Sequence, residues 1–499
     1  MLQYLAFGFS TVFQVENLFY CFIGVFTGTL IGVLPGIGPT GAISLLLPTT
    51  YKMTPLSAII MLSGIYYGVQ YGGSTTSILL NIPGEASSIV TCIDGHKMAQ
   101  QGRAGPALGI AAFGSFIAAT LGIFGLTLVA PPLAAFALRF GPPEYFTFMC
   151  MGLTLLIYLV SGSVLRAIMM AAAGIILGCI GQDPTTGTPR FTSGLAYLLD
   201  GIGLAPFVMG LFGISEVFVN IEKNLQKGHV AKAKIRELFP NCQDWKMSLA
   251  PIFRGSVLGF FLGILPGGGA IVSSFASYAM EKKLSKQPEK FGKGAIEGVA
   301  GPESANNAAA EGAFVPLLTL GIPPNVVMAL LLGALMIHGI TPGPLLIPEH
   351  PEIFWGLVAS MYLGNGMLLI LNLPLIAIWV QVLRIPYKVL FPLILLFCLI
   401  GAYSINNSLF DMIVMIFFGI FGYLMRKFKY EGAPLVLAFV LAPLLENSLR
   451  QSLLLSDGSF LIFVSRPLSA VGVVCTALML LTAVLPAVRT RRNKIALDE

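Results

Sequence analysis

Two carboxyl groups stand where an apolar chain has least use for them. Glu303 and Glu311 lie in the run Gly301-Pro302-Glu303-Ser304-Ala305-Asn306-Asn307-Ala308-Ala309-Ala310-Glu311, and no further charge occurs before Gly321. A carboxylate in such surroundings is costly and is typically functional, holding a cation or carrying a proton. Amides and hydroxyls able to complete a ligand shell cluster around glycine–proline breaks. Thr40 follows Gly36 and Gly38, and Ser74 and Thr75 precede Asn81 and Gly84. Ser273 follows Gly267 and Gly268, and Asn306 and Asn307 precede Asn325. Glycine lets backbone amides approach a ligand closely. Proline opens a new helical piece whose first N–H groups are unpaired, and these favour an anion. The chemistry expected is capture of a carboxylate with a coupling cation, as at broken helices in transporters. Lys52 is the one Lys or Arg between residues 17 and 96, so amides, hydroxyls and a co-transported cation must supply the compensation there.

The breaks occur twice. Gly32-Val33-Leu34-Pro35-Gly36-Ile37-Gly38 returns as Gly263-Ile264-Leu265-Pro266-Gly267-Gly268-Gly269. Gly72, with Asn81-Ile82-Pro83-Gly84 beyond it, is echoed by Gly312 with Gly321-Ile322-Pro323-Pro324. The step from glycine to proline is the same, 72 to 83 and 312 to 323. One such motif would be ordinary, because Gly and Pro are common in membrane helices. Two matched pairs flanked by Ser, Thr and Asn point to a binding site. Glu85, just past a break, reads as an acid favouring a helix N-terminus. Glu216, Asp411 and Glu446 lie outside the repeated motifs.

Other chemistries find no support. Gly36-Ile37-Gly38-Pro39-Thr40-Gly41 matches a dinucleotide fingerprint literally, but it follows a membrane-length apolar run rather than a strand. There is no Walker A sequence and no HExxH. The four histidines are far apart, and the seven cysteines are scattered without a CxxC, so they read as packing residues rather than metal ligands or disulfides. No nucleophile–base pairing is recognisable, and an enzyme is not expected. The formal charge of +6 sits in loops and is no nucleic-acid signal.

The elements that must position these groups are membrane helices. The chain is 56% hydrophobic and only 10% charged, whereas soluble proteins carry about 25% charged residues. Apolar stretches recur from 17–34 to 467–486, and about 10–14 membrane segments are expected. The alternating strands of an outer-membrane barrel are absent. The N-terminus has no basic residue before its first apolar run, unlike a cleaved signal peptide. Basic loops at 221–249, 281–297 and the tail from Arg489 read as cytoplasmic. Segment 251–280 must then enter and leave on one side, as a re-entrant hairpin folded at Pro266 to Gly269. Residues after the second motif are basic in the first repeat (His96, Lys97, Arg103) and free of Lys and Arg in the second (337–352). That swap predicts repeats inverted in the membrane. The organisation expected is a first transmembrane repeat at 1–220, a basic cytoplasmic linker at 221–250, a second repeat with further helices at 251–486, and a cytoplasmic tail at 487–499. The fold class is all-α polytopic membrane protein with two inverted repeats and re-entrant or broken helical hairpins.

Several motifs carry a family likeness. Gly32 to Pro39, Tyr71-Gly72-Gly73 with Ile78 to Gly84, and Asp94-Gly95-His96-Lys97-Met98-Ala99-Gln100-Gln101-Gly102 resemble the large permease subunit of tripartite tricarboxylate transporters, the TctA family. Gly181-Gln182-Asp183-Pro184 with Pro189-Arg190-Phe191, and Gly301 to Ala308, do so too. The likeness runs in order over roughly 15–345 and more loosely to about 480. It implies a multi-pass permease of a bacterial inner membrane beside a small four-helix membrane subunit, with a periplasmic solute-binding protein delivering the substrate. It implies uptake of citrate or related carboxylates driven by a sodium or proton gradient, without a bound cofactor. It also marks Gly36, Gly38, Asn81, Gly84, Gly267, Gly268, Glu303, Asn306 and Asn307 as site residues. The rival readings are an ion channel built from re-entrant loops and, less well supported, a membrane-embedded enzyme.

Overall fold

The computed structural model describes residues 2–34, 38–159, 163–183, 185–223, 238–267, 269–382 and 387–484. Nearly every element is helical. The first half opens with α1 (Leu2–Val12) and α2 (Val15–Val33), then α3 (Gly38–Leu46), α4 (Pro55–Leu80), α5 (Ile89–Gln100) and the long α6 (Ala104–Ala137). Next come α7 (Pro142–Leu159) and α8 (Val164–Gly178). After α9 (Leu204–Val208) a π-helical turn, Met209–Ile214, leads into α10 (Ser215–Lys223). The second half runs through α11 (Cys242–Ile264), α12 (Gly269–Leu284), α13 (Glu297–Leu320), α14 (Val326–Ile337), the short α15 (Leu346–Glu349) and α16 (Pro351–Asn372). It closes with α17 (Ile376–Val382), α18 (Tyr387–Asn406), α19 (Leu409–Lys427), α20 (Gly432–Leu455), α21 (Ile462–Ser465) and α22 (Pro467–Val484). Seven described helical stretches are long and apolar enough to cross a membrane, namely Val15–Val33, Ala104–Ala137, Leu204–Glu222, Cys242–Ile264, Pro351–Asn372, Leu409–Lys427 and Gly432–Leu455, and four shorter apolar helices accompany them.

Glycine decides which helices touch. Gly24, Gly28 and Gly32 of α2 press directly on the backbones of Met61, Ile65 and Val69 of α4. Gly255, Gly259 and Gly263 of α11 press in the same order on Gly301, Ala305 and Ala309 of α13. A Cβ at any of these six glycines would collide with backbone. Small residues at regular spacing let membrane helices approach closely and exchange dispersion contacts where no hydrophobic effect drives them together. In both pairs the numbers rise together, so α2 runs parallel to α4 and α11 runs parallel to α13.

Parallel partners require a return in between, and that return is the hairpin. In the first half, Ser57 at the start of α4 donates to Asn17 near the start of α2 at 2.7 Å, so the chain has come back to its origin through α3. In the second half, Arg254 of α11 forks onto Glu281 of α12, with Nε 2.8 Å from Oε1. The α11–α12 hairpin turns where the sequence predicted, around Pro266 and Gly267. Across the middle of the molecule α4 and α13 cross with opposite sense: Ser74 meets Glu303, while Tyr66 packs near Phe314.

The ends of the molecule sort by sequence. Asp94 accepts from the backbone of Gly294 (2.7 Å) and Ala295 (2.9 Å), and Arg103 pairs with Asp244. The basic neighbourhoods 94–103, 238–246 and 282–295 therefore gather at one end. At the other end α1 packs on α16, with Tyr4 stacked on Trp355. A two-stranded hairpin, Gly181–Gln182 (β1) with Pro189–Arg190 (β2), joins α8 to α9 and is tied to α20 by Asp183–Arg450 and Arg190–Glu446 ion pairs. The Arg450 guanidinium, with the backbone N–H of Thr186 and Thr185, holds the Asp183 carboxyl well below the usual carboxylate range.

Gly259→Val should abolish recovery of monodisperse protein or lower its melting temperature sharply, since overpacking costs about 1–3 kcal/mol even where side chains can yield. Gly366→Ala, whose Cβ would meet open space, should leave the melting temperature unchanged or raise it. The Asp183 interaction is fully present above the unfolded carboxylate pKa of about 3.9 and fades as pH falls toward the lower folded value. Asp183→Asn should accordingly flatten the acid limb of the melting-temperature curve, measured between pH 7 and 3 in detergent.

Candidate functional site

The helix breaks are built from matched caps. α4 ends on Asn81 with φ 58°, and α13 ends on Gly321 with φ 68°. Both adopt the left-handed conformation that glycine and, less readily, asparagine accept. Four residues later Glu85 and Asn325 take the same extended conformation (φ −143° and −151°), and each caps the helical turn after it. Asn325 accepts from the Met328 N–H at 3.0 Å. Glu85 and Ser88 form a reciprocal capping box around the short 3₁₀ turn Ala86–Ser88 that leads into α5. The breaks also brace one another. Gly84 sits on Gly73 and on the Gly32 carbonyl, with no space for a side chain. The Gly267 N–H donates to the Pro324 carbonyl at 2.9 Å, pinning the α11–α12 turn to the α13–α14 turn. Backbone freed in an apolar medium is thus satisfied within the protein.

A cavity of about 310 Å³ opens among these breaks. Pro39 and Thr40 face it from the start of α3, and Glu85, Ala86 and Ser87 from the approach to α5. Gly267, Gly269 and Ala270 face it from the start of α12, and Asn325, Val326 and Val327 from the start of α14. Four helical starts, two from each half, border one space. Tyr66 and Gln70 of α4 form another wall, and Leu156, Phe212 and Ala433 supply apolar surface. Among the described residues no Lys, Arg or His lines it, whereas two carboxyls, Glu85 and Glu431, do. Helical starts in general carry unpaired N–H groups and the positive ends of helix dipoles, which favour an anion.

A second polar cluster lies deeper. Glu303 is fully buried, yet no Lys or Arg pairs with it among the described residues. Its Oε2 accepts from Ser74 at 2.6 Å and its Oε1 accepts from Thr91, so α13 is held by α4 and α5 of the other half. Asn307 donates to Ser115 of α6 (2.8 Å), to the Glu303 carbonyl (2.9 Å) and to Asn306 (2.7 Å). Asn306 reaches Ser87 at 3.5 Å, and Ser87 donates to Glu85 at the cavity wall. A line of polar contacts therefore joins the Glu303 neighbourhood to the cavity. Glu311, two turns further along α13, is buried against Gly122 of α6, and its Oε2 has no hydrogen-bond partner.

The residues singled out from sequence thus divide. Thr40, Gly267 and Asn325 line the cavity, and Gly38 opens α3 at its edge with φ 62°. Ser74, Asn306, Asn307 and Glu303 form the deeper cluster, and Thr75 borders a small void of about 10 Å³ beside it. Asn81 and Gly84 shape the joint, and Ser273 donates back to the Gly269 carbonyl inside α12. Gly36 and Gly268 lie outside the described residues. Sequence reasoning missed Gln70 and Tyr66, and it noted Ser87 only as part of the run from Asn81 to Ser88. The signal for Gln70 was a full side-chain amide within the largely apolar α4, the kind of residue that is expensive in a membrane unless used. Glu85 does cap a helical start as expected, and it also faces the cavity.

A sequence profile of the tripartite tricarboxylate transporter TctA family matches residues 18–437. The chain is similar to an uncharacterised 52.8 kDa protein in the TAR-I ttuC′ 3′ region of Agrobacterium vitis. The two are 50% identical over 503 aligned positions, covering 100% of this chain and 99% of that protein. It is also similar to an uncharacterised protein in the TAR-II ttuC′ 3′ region of the same organism, 54% identical over 245 positions, which are 48% of this chain and all of that protein. No solved structure matches it. With the profile spanning most of its length and a relative half identical from end to end, the chain belongs to the tripartite tricarboxylate transporter TctA family.

Proposed function

We propose that this protein is the membrane permease of a binding-protein-dependent tripartite system. It imports tricarboxylates or related carboxylates across a bacterial inner membrane, driven by a sodium or proton gradient. Its partners are a small four-helix membrane subunit and a periplasmic solute-binding protein. The observation that carries the reading is the cavity bordered by four helical starts and, among the described residues, by no cationic side chain. Such a site attracts carboxylates through backbone N–H groups, and its own carboxyls require a cation to enter with them.

The Glu303 cluster and Glu311 are assigned to the coupling cation. Glu303 offers two carboxyl oxygens amid hydroxyl and amide groups, a set suited to a hard cation. Glu311 holds an unpartnered oxygen in apolar surroundings, a cost that a bound cation or proton removes. The contacts from Asn307 through Asn306 and Ser87 to Glu85 give cation binding a physical route to the substrate cavity. Transport requires the cavity to open alternately to each side. The opposite sense of α4 and α13, and the gathering of basic residues at one end, support two repeats inverted in the membrane with the basic end cytoplasmic.

The deciding measurement is uptake of radiolabelled citrate into cells expressing the chain with its two partner proteins, with and without a sodium gradient. Accumulation that responds to neither gradient, for citrate or for other carboxylates, sinks the reading. Glu303→Gln should reduce gradient-dependent accumulation about tenfold or more, the scale of a lost hydrogen bond to a charged group. Asn307→Ala should weaken uptake by about 1–3 kcal/mol without removing protein from the membrane. For topology, single cysteines placed at Gln100 and Leu345, both exposed, should label from opposite sides with an impermeant thiol reagent. Labelling from one side refutes the inverted arrangement.

A further inference from the structure

Gln70 is fully buried on α4, one turn from Tyr66, and it lines the cavity. Its backbone carbonyl is used by Ser74 at 3.0 Å. Its side chain is not used by the protein: neither Nε2 nor Oε1 has a hydrogen-bond partner. Two neighbouring polar groups are engaged elsewhere: the Asn325 side-chain carbonyl accepts from the Met328 N–H, and Glu85 receives Ser87. A buried amide left unpaired costs free energy, so this donor and this acceptor are reserved for a molecule that enters the cavity.

The two atoms ask for different things. Nε2 donates and Oε1 accepts. The helical starts around the cavity offer further N–H donors, and these serve carboxylate oxygens. A carboxylate at Gln70 would satisfy Nε2 and leave Oε1 facing another acceptor. An ammonium group would do the reverse. A hydroxyl donates and accepts through one oxygen, and it alone of the three matches both atoms.

Resting on the carboxylate reading above, we infer that Gln70 is the specificity-determining residue of this cavity and that the substrate is a hydroxycarboxylate. Its hydroxyl is held by the Gln70 amide while its carboxylates lie on the helical starts of α3, α12 and α14 and beside the turn Ala86–Ser88. A site built to bond a hydroxyl discriminates strongly against the analogue that lacks it, because its own polar atoms are then left unpaired.

The test is direct binding to the purified permease with its small membrane subunit, without the soluble binding protein, so that selectivity belongs to the cavity. Ligand-induced thermal stabilisation is titrated with two matched pairs, malate against succinate and citrate against tricarballylate. The wild type should bind the hydroxy acid of at least one pair more tightly by about fivefold or more. In Gln70→Met and Gln70→Leu, which keep the volume and remove the amide, that ratio should fall close to one. An unchanged ratio in a variant that still binds, or no preference in the wild type, overturns the assignment of Gln70 while leaving the carboxylate site standing. Stabilisation by none of the four acids overturns the carboxylate reading itself, and Gln70's role with it.

Discussion

A helix cannot be interrupted inside hydrocarbon unless protein meets every backbone group the interruption frees. The rest of the molecule depends on that constraint. Four interruptions are needed to bring four helical starts to one cavity, and each is braced by another. Gly84 rests on Gly73 and Gly32, and the Gly267 amide bonds the Pro324 carbonyl. Left-handed caps at Asn81 and Gly321 turn the chain, and Glu85 and Asn325 restart it. The glycine contacts between α2 and α4, and between α11 and α13, bring the breaks close enough to do this.

The cavity and the buried carboxyls divide the electrostatic work. The cavity presents helix ends and amides, which suit negative charge, beside Glu85 and Glu431. Behind it, Glu303 collects hydroxyl donors from α4 and α5. A Lys or Arg at either place would have settled the balance permanently. In the proposed mechanism mobile ions settle it instead, so that occupancy of one cluster would depend on occupancy of the other through the contacts of Asn306, Asn307 and Ser87.

Much of this arrangement was legible in the sequence, and particular residues show where legibility ends. The repeated glycine–proline breaks located both hairpins because backbone geometry restricts those positions to few residue types. At Asn81 the same restriction gives two meanings at once: asparagine suits a left-handed joint as well as it suits a binding shell, and in the structure it makes the joint. Glu303 stood out as a carboxyl in an apolar run, but its partners Ser74 and Thr91 come from the other half, and no local pattern announces a contact of that range. Gln70 was passed over because nothing in its neighbourhood repeats. Its significance comes from the contacts its amide lacks, a property that only packing reveals.

The glycine contacts have a mechanical consequence. Where backbone lies on backbone, no side-chain rotamers can absorb a displacement, so a shift of α2 is at once a shift of α4, and likewise for α11 and α13. Each pair behaves as a single beam with a jointed tip. The seam between α4 and α13, by contrast, is filled with side chains such as Ser74, Tyr66 and Phe314, which can slide and repack. In the proposed transport cycle, any displacement of one beam against the other would therefore have to be taken up in that seam, beside the cavity.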